Sequence, residues 1–217
     1  MHFEILIEDI SGKAMLDLLL PKLLGSQDTF TVHPYKGIGR LPKNMSSSGK
    51  ESKRQLMNEL PRLLRGYGKT HASYDQSYKA CVIIVCDLDD KDESKFRVEL
   101  AGILDQCDPR PSAHFCLAIE EGEAWLLGDP AAIREAYPHA KQAVLDSYVQ
   151  DSICGTWEVL ADAVHPGGAS EVRKHPFHVA GKLKSEWANN ITPHLDAERN
   201  QSPSFAFFLS TIGQLIA

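Results

Sequence analysis

Short apolar runs alternate with helix-like segments along the first part of the chain. Residues 3–8 (FEILIE) form an apolar run that ends on an acid, and the next segment has helical spacing, with Ser11 as its expected N-cap and Gly25 as its stop. Residues 30–35 are rich in β-formers but include a proline, which predicts a strand at the edge of a sheet. The predicted order is therefore strand, helix, strand.

The most apolar run of the chain covers residues 80–86 (ACVIIVC). A continuous β-branched run is typical of a strand whose two faces are both covered, so this segment is predicted to be a central strand. Residues 94–104 have a helical pattern, and residues 114–119 (HFCLAI) form another apolar run. The alternation predicts an α/β fold with a parallel sheet of about four strands, flanked by helices and joined by right-handed crossovers.

Helical patterns account for most of the remaining sequence. One covers residues 51–65 and contains Pro61, which is expected to kink or split the helix. After residue 129 the strand-like runs disappear, while helical spacing continues to the end of the chain. The sequence therefore predicts an α/β domain over residues 1–129 and a helical extension over residues 130–217 that packs on it.

The composition is that of an ordinary globular protein, with 43% hydrophobic and 24% charged residues. No run approaches the ~20 apolar residues of a membrane span, and the first residues carry acid where a secretory signal carries base. The five cysteines are odd in number and scattered, as is typical of reduced thiols. These features predict a cytoplasmic protein without membrane association.

Charge is distributed unevenly around a net value of −6. Residues 36–69 hold nine lysines and arginines against two acids, whereas residues 87–123 hold eleven acids against four bases. A metal site beside a phosphate-binding patch would show this asymmetry, and so would solvated helix faces. Lys36, Arg40 and Lys43 are the candidates for binding phosphate, since they follow the second strand, with merely solvated side chains as the alternative.

Acidic residues end three of the predicted strands at the same edge of the sheet. The three groups are Glu8 after the first strand, Asp87 with Asp89 and Asp90 after the central strand, and Glu120 with Glu121 and Glu123 after the last one. Carboxylates brought together without a cation raise one another's pKa values, and hard oxygen ligands suit Mg²⁺ or Mn²⁺. Any one of these acids could instead solubilise a loop or cap a helix, but the three groups together favour a metal site.

The order of these residues resembles the Toprim domain of topoisomerases, primases and overcoming-lysogenisation-defect-type nucleases. The resemblance consists of Glu8 at the end of a strand, a polar turn and a helix, and later an aliphatic strand that ends in Asp-x-Asp at residues 87–89. The segments EAWLLGD (residues 123–129) and SPSF (residues 202–205) resemble those of small stand-alone Toprim-like proteins of bacteria. The core resemblance covers residues 3–128, and SPSF extends it to nearly the whole chain.

The resemblance implies roles for individual residues. It implies that Glu8 is a metal ligand or general base, that Asp87 and Asp89 hold Mg²⁺ or Mn²⁺, and that Glu123 completes the site. The family usually has glycine directly after the first glutamate, whereas this chain has Asp9. The additional carboxylate could serve as a ligand, or the altered turn could leave the site inactive.

The resemblance implies a divalent-metal-dependent nuclease that acts on DNA or RNA, including a role in phage defence. The alternatives are a decayed Toprim-like module that binds nucleic acid or nucleotide, or serves as the subunit of a partner protein or homo-oligomer, and a hydrolase of a small phosphorylated metabolite. Residues 66–70 (GYGKT) end like a phosphate-binding loop, but Leu63 stands where that loop needs glycine. Trp125 is expected in the core.

Overall fold

Helices and strands alternate first, and helices alone follow. The computed structural model describes residues 1–37, 39 and 55–217 of the 217-residue chain. The elements in chain order are β1 (His2–Ile7), α1 (Ile10–Leu23), β2 (Thr29–Pro34), α2 (Leu56–Ala72), β3 (Ala80–Asp87), α3 (Glu93–Asp105), β4 (Ala113–Ala118), α4 (Glu123–Leu127), α5 (Pro130–Ala136), α6 (Gln142–Ser147), α7 (Thr156–Val164), α8 (Gly168–Val172), α9 (Phe177–Ile191), a 3₁₀ turn (Thr192–His194) and α10 (Pro203–Ile216).

All four strands run parallel in a single sheet with the order β2-β1-β3-β4. This confirms the predicted α/β fold, the edge position of β2 and the interior position of β3. From β1 the chain first crosses to one side, to β2, and then back over β1 to β3. The topological switch point therefore lies between β1 and β3, and in open α/β sheets ligands bind outside the carboxyl ends of the strands at this point.

The two faces of the sheet are covered by different helices. On β1, Phe3, Ile5 and Ile7 share one core with α1 and the C-terminal helices, whereas Leu6 points into a second core with α2 and α3. The side chains of β3 alternate in the same way between the two cores. Because both faces are buried, consecutive residues of the strand can all be apolar without being exposed, which explains the continuous apolar run of β3.

A buried contact joins α4 to the last helix and unites the two sequence segments EAWLLGD and SPSF. Trp125 is fully buried, and its ring centroid lies 5.4 Å from that of Phe205 and 5.0 Å from that of Phe208. The indole nitrogen of Trp125 donates to the Ser204 hydroxyl at 3.0 Å, and the side-chain amide of Asn200 donates to the Trp125 carbonyl at 2.7 Å. These residues hold the C-terminal helices against the sheet, and the core position expected for Trp125 is confirmed.

Two expectations about helix boundaries are wrong. Asp9, rather than Ser11, is the N-cap of α1. The helix predicted to end at Arg65 continues through Pro61 to Ala72. Pro61 is the sixth residue of α2, so it removes a single backbone hydrogen bond near the start, and its buried position holds it against the core.

Several other sequence features have structural counterparts. The GYGKT segment lies within the helix α2, so it forms no phosphate-binding loop. Four cysteines are buried and Cys154 is exposed, and all five are free. None of the helices in the described part of the chain is sufficiently long and apolar to span a bilayer.

Two glycines of α2 provide a matched test of the packing on the second face. A methyl group at Gly68 would lie 1.9 Å from the backbone oxygen of Pro109, whereas one at Gly66 would meet nothing within 4 Å. We expect Gly68→Ala to lower the free energy of unfolding by about 1–3 kcal/mol, because the loop that contains Pro109 must move away from the added methyl group. Gly66→Ala should raise it by about 0.5–1 kcal/mol through helix propensity. Urea unfolding of both variants measures these changes, and equal effects would contradict the close approach.

Candidate metal centre

A narrow crevice lies at the switch point, where β1 and β3 end side by side. Glu8 directly follows β1 and Asp87 is the last residue of β3. Oε2 of Glu8 accepts a hydrogen bond from the backbone N–H of Asp87 at 3.2 Å, so these two acids lie together as the sequence predicted. The polar lining of the crevice includes the carboxylates of Glu8, Asp9, Asp87 and Glu123.

Asp9, which stands where glycine was expected, has a structural role. Its Oδ1 accepts from the backbone N–H of Gly12 at 2.7 Å, and its Oδ2 accepts from the Ser11 hydroxyl at 2.5 Å. This is the arrangement of an N-cap, in which a short acidic side chain satisfies the free N–H groups of the first helical turn. The turn after β1 is therefore well formed, and the carboxylate of Asp9 starts α1 while it also borders the crevice.

Asp87 is the acid most strongly affected by its surroundings. Burial and then the charge of Glu8 raise the pKa of the Asp87 carboxyl well above its usual range. The positive charge of Lys184 acts in the opposite direction, and Asp9 and Glu123 add to the increase.

The neighbours of Glu123 include a cation that the sequence analysis missed. Glu123 is buried at the start of α4, and its Oε2 lies 3.0 Å from Nζ of Lys184, a residue of α9. The same Nζ lies 3.8 Å from Oε2 of Glu121. Burial acts to lower the pKa of Lys184, but the carboxylates of Glu123 and Glu121 outweigh it and raise that pKa, so the ammonium stays charged.

Burial also dominates the titration of the two glutamates that face Lys184. It raises the pKa of Glu123, while the charge of Lys184 opposes the increase. It raises the pKa of Glu121 to about 7, again against the charge of Lys184. The side chains of Lys184, Glu121 and Glu123 thus form a group near Asp87 in which one positive charge partly neutralises two carboxylates.

The helical period of α9 is the sequence signal that could have identified Lys184. Trp187, Ala188 and Ile191 form the buried face of α9, and Lys184 precedes them by three, four and seven residues. These are the spacings that place residues on one face of a helix. A lysine on a buried face needs a partner, so the period alone indicates that Lys184 faces an acid.

Two of the other acids at strand ends lie outside this group. The carboxylate of Asp89 pairs with the ammonium of Lys91, and Asp89 does not line the crevice. Its role as a metal ligand therefore stays a prediction. Glu120 accepts from the backbone N–H groups of Gly155 at 2.9 Å and Thr156 at 2.8 Å, so it caps the start of α7. Glu120 is therefore a helix cap, which is one of the alternatives that the sequence left open for each of these acids.

The turn after β2 runs beside the first acid. The backbone N–H of Gly37 donates to the carbonyl of Glu8 at 3.0 Å, and the N–H of Leu56 donates to the carbonyl of Gly37 at 3.1 Å. Lys36 precedes this contact and is exposed. Arg40 and Lys43, the other two candidates for binding phosphate, lie outside the described residues.

The donors in the crevice suit one kind of ion. Among the residues with described positions, no group of three His, Cys, Asp or Glu side chains is arranged to hold a metal. Glu8 and Asp87 supply two neighbouring carboxylates, and Mg²⁺ typically binds one or two carboxylates and keeps several waters. The crevice has a volume of about 20 Å³, comparable to the space that one water molecule needs. The two carboxylates therefore fit a single divalent ion rather than a preformed cage.

Comparison with known proteins gives a family and no close relative of known function. A family model described as a domain of unknown function, DUF4276, matches residues 7–213. No curated protein and no solved structure matches the chain.

The electrostatics of Asp87 predict that this acid lowers stability near neutral pH. A raised pKa in the folded protein means that the folded state binds the proton more tightly than the unfolded chain, so stability falls as pH rises above the usual carboxyl range. Asp87→Asn should therefore raise the free energy of unfolding near neutral pH by about 1–2 kcal/mol. The stability gained in Asp87→Asn should shrink as the pH falls towards about 4, where the carboxyl group of the wild type is also protonated in the unfolded chain.

Urea unfolding over a pH series, without divalent ions, measures this effect. Asp90→Asn is the matched control, because Asp90 is exposed three residues further along the same turn and should change stability by less than about 0.5 kcal/mol. A loss of stability in Asp87→Asn at neutral pH would show that the carboxylate is stabilised by its neighbours, contrary to this account.

Proposed function

The chain belongs to the DUF4276 family, and we propose that it is a divalent-metal-dependent phosphodiesterase that cleaves DNA or RNA, with Mg²⁺ or Mn²⁺ held by Glu8 and Asp87. The observation that carries the proposal is the 3.2 Å contact between Oε2 of Glu8 and the backbone nitrogen of Asp87. Two acids 79 residues apart thereby meet at the switch point of a parallel sheet, where ligands of such folds bind.

The charge of the crevice supports a cation as its ligand. Burial and the charge of Glu8 both disfavour the charged form of Asp87, and a divalent cation would stabilise that form. The same carboxylates would hold the ion at one wall of the crevice, where substrate phosphate can complete its coordination. When bound, the ion supplies Lewis-acid stabilisation of the negative charge that develops on the phosphoryl oxygens.

Residues of the protein orient this chemistry. The N–H of Asp87 fixes the Glu8 carboxylate, and the hydrogen bonds of Asp9 to the first turn of α1 fix the backbone that follows it. Fixed carboxylates reduce the reorganisation needed when the substrate binds. The Toprim resemblance implies an alternative role for Glu8, in which it would accept a proton from an attacking water instead of holding the ion.

Nucleic acid is the proposed substrate because the basic segment begins at the rim of the crevice. Lys36 is exposed and directly precedes Gly37, whose backbone N–H contacts the Glu8 carbonyl. The first residue of α2, Leu56, donates its N–H to the Gly37 carbonyl. Further along α2, Arg62 and Lys69 are exposed seven residues apart, on one face of the helix. Exposed basic side chains beside the crevice and on α2 suit a phosphate backbone, although Arg62 also pairs with Glu59 and the net charge of the whole chain is negative.

A second candidate is a module that binds nucleic acid without cleaving it. It is favoured by the ion pair between Lys184 and Glu123, which neutralises part of the crevice without any metal, and by the use of Asp9 as a helix cap. In this case the acids would repel a phosphate rather than bind it through an ion. Binding would then depend on the basic segment alone.

Cleavage assays with purified protein distinguish the two functions. We expect single- or double-stranded DNA or RNA to be cut in Mn²⁺ or Mg²⁺, activity to disappear with a chelator, and Mn²⁺ to restore it. Glu8→Gln and Asp87→Asn should each reduce the rate by about 100-fold or more, because each removes a ligand of the ion.

Asp90→Asn serves as the control and should keep the wild-type rate, since its side chain is exposed and does not line the crevice. Asp89→Asn tests the remaining predicted ligand, and its pairing with Lys91 leads us to expect a smaller loss than for Asp87→Asn. Nucleic acid that binds without being cut, and that binds Asp87→Asn at least as tightly as wild type, would favour the binding module and reject the nuclease.

A further inference from the structure

Lys184 brings a fixed positive charge to the proposed metal centre from a distant part of the chain. It lies on α9, and that helix packs against α1 and α4, the two helices that begin at the crevice. The side chain of Lys184 is 17% exposed. Ala188, one turn later on the same face of α9, lines the crevice directly. Lys184 does not itself line the crevice, but its ammonium group contacts Glu123, which does.

The ammonium group pairs with a carboxylate that a second ion would need. Two ions that act together on a phosphodiester lie about 3.5–4 Å apart and need carboxylates on both sides. Glu8 and Asp87 supply two carboxylates. Of the other two that line the crevice, Asp9 caps α1, which leaves Glu123 as the candidate for a second ion. Its Oε2 already lies 3.0 Å from Nζ of Lys184, so a second ion at Glu123 would have to displace a buried ion pair.

We propose that Lys184 takes the place of a second metal ion, so that the centre binds one divalent cation on Glu8 and Asp87 and presents the ammonium group beside it. The inference rests on the proposed function and specifies its mechanism. Glu121 and Glu123 then act as the residues that position the lysine, and Glu123 is not a metal ligand. Lys184 is placed to neutralise an oxygen of the phosphodiester that the ion does not contact.

The stoichiometry of Mn²⁺ binding to the full chain tests this inference without any measurement of activity. Titration calorimetry and the electron paramagnetic resonance signal of free Mn²⁺ both count bound ions. We expect one ion per chain in wild type. In Lys184→Met we expect the first ion to bind roughly tenfold more tightly or better, because a nearby positive charge is removed, and a second ion to become detectable.

Two further variants serve as controls. Lys182→Met removes an exposed lysine from the same helix and should bind one ion with the affinity of wild type. Lys184→Arg keeps the positive charge and should also bind one ion. If both controls behave like wild type, the change in Lys184→Met arises from the charge at this position and not from a general change in the charge of α9.

The possible outcomes separate this inference from the proposed function. Two ions in wild type would overturn the inference while supporting a metal-dependent enzyme, and this result does not depend on whether any variant folds. A single ion of unchanged affinity in a folded Lys184→Met protein would also overturn it. If wild type binds no Mn²⁺ at millimolar concentration, the proposed metal centre itself is rejected, and the inference with it.

Discussion

The parallel pairing of β1 with β3 is the constraint on which the rest of the structure depends. In register, Ile7 of β1 pairs with Val85 of β3, so that Glu8 and Asp87 emerge at the same edge of the sheet. The strands are held by hydrogen bonds and by burial on both faces, which are far stronger in sum than the repulsion of two carboxylates. The fold thus imposes an arrangement of charge that its side chains would not adopt by themselves.

The structure limits the free-energy cost of this arrangement with groups from several elements. A peptide N–H donates to Glu8, the first turn of α1 donates to Asp9, and Lys184 neutralises Glu123. The last of these comes from the helical part of the chain after β4. Because α9 supplies a charged group to the crevice, this part of the chain contributes to the site and does more than cover the sheet.

The sequence was informative where a local pattern determines the structure. The β-branched run of β3 and the acids at the ends of the strands were enough to predict the sheet and the meeting of Glu8 with Asp87. The pattern could not separate an acid that caps a helix from one that faces the crevice, as Glu120 shows, because both follow a strand. Lys184 was missed because its partners lie more than 60 residues away in sequence, and only the helical period of α9 relates it to the core.

The separation of Glu123 and Trp125 in the EAWLLGD segment has a structural reason. Glu123 and Trp125 are two residues apart on the short helix α4, so their side chains point in different directions. One faces Lys184 at the crevice, and the other packs between the aromatic rings of α10. A buried carboxylate without its lysine would be strongly destabilising, and so would a buried lysine without its carboxylate. The two residues are therefore interdependent, and the aromatic contact that fixes α4 also fixes the charge at the proposed metal centre.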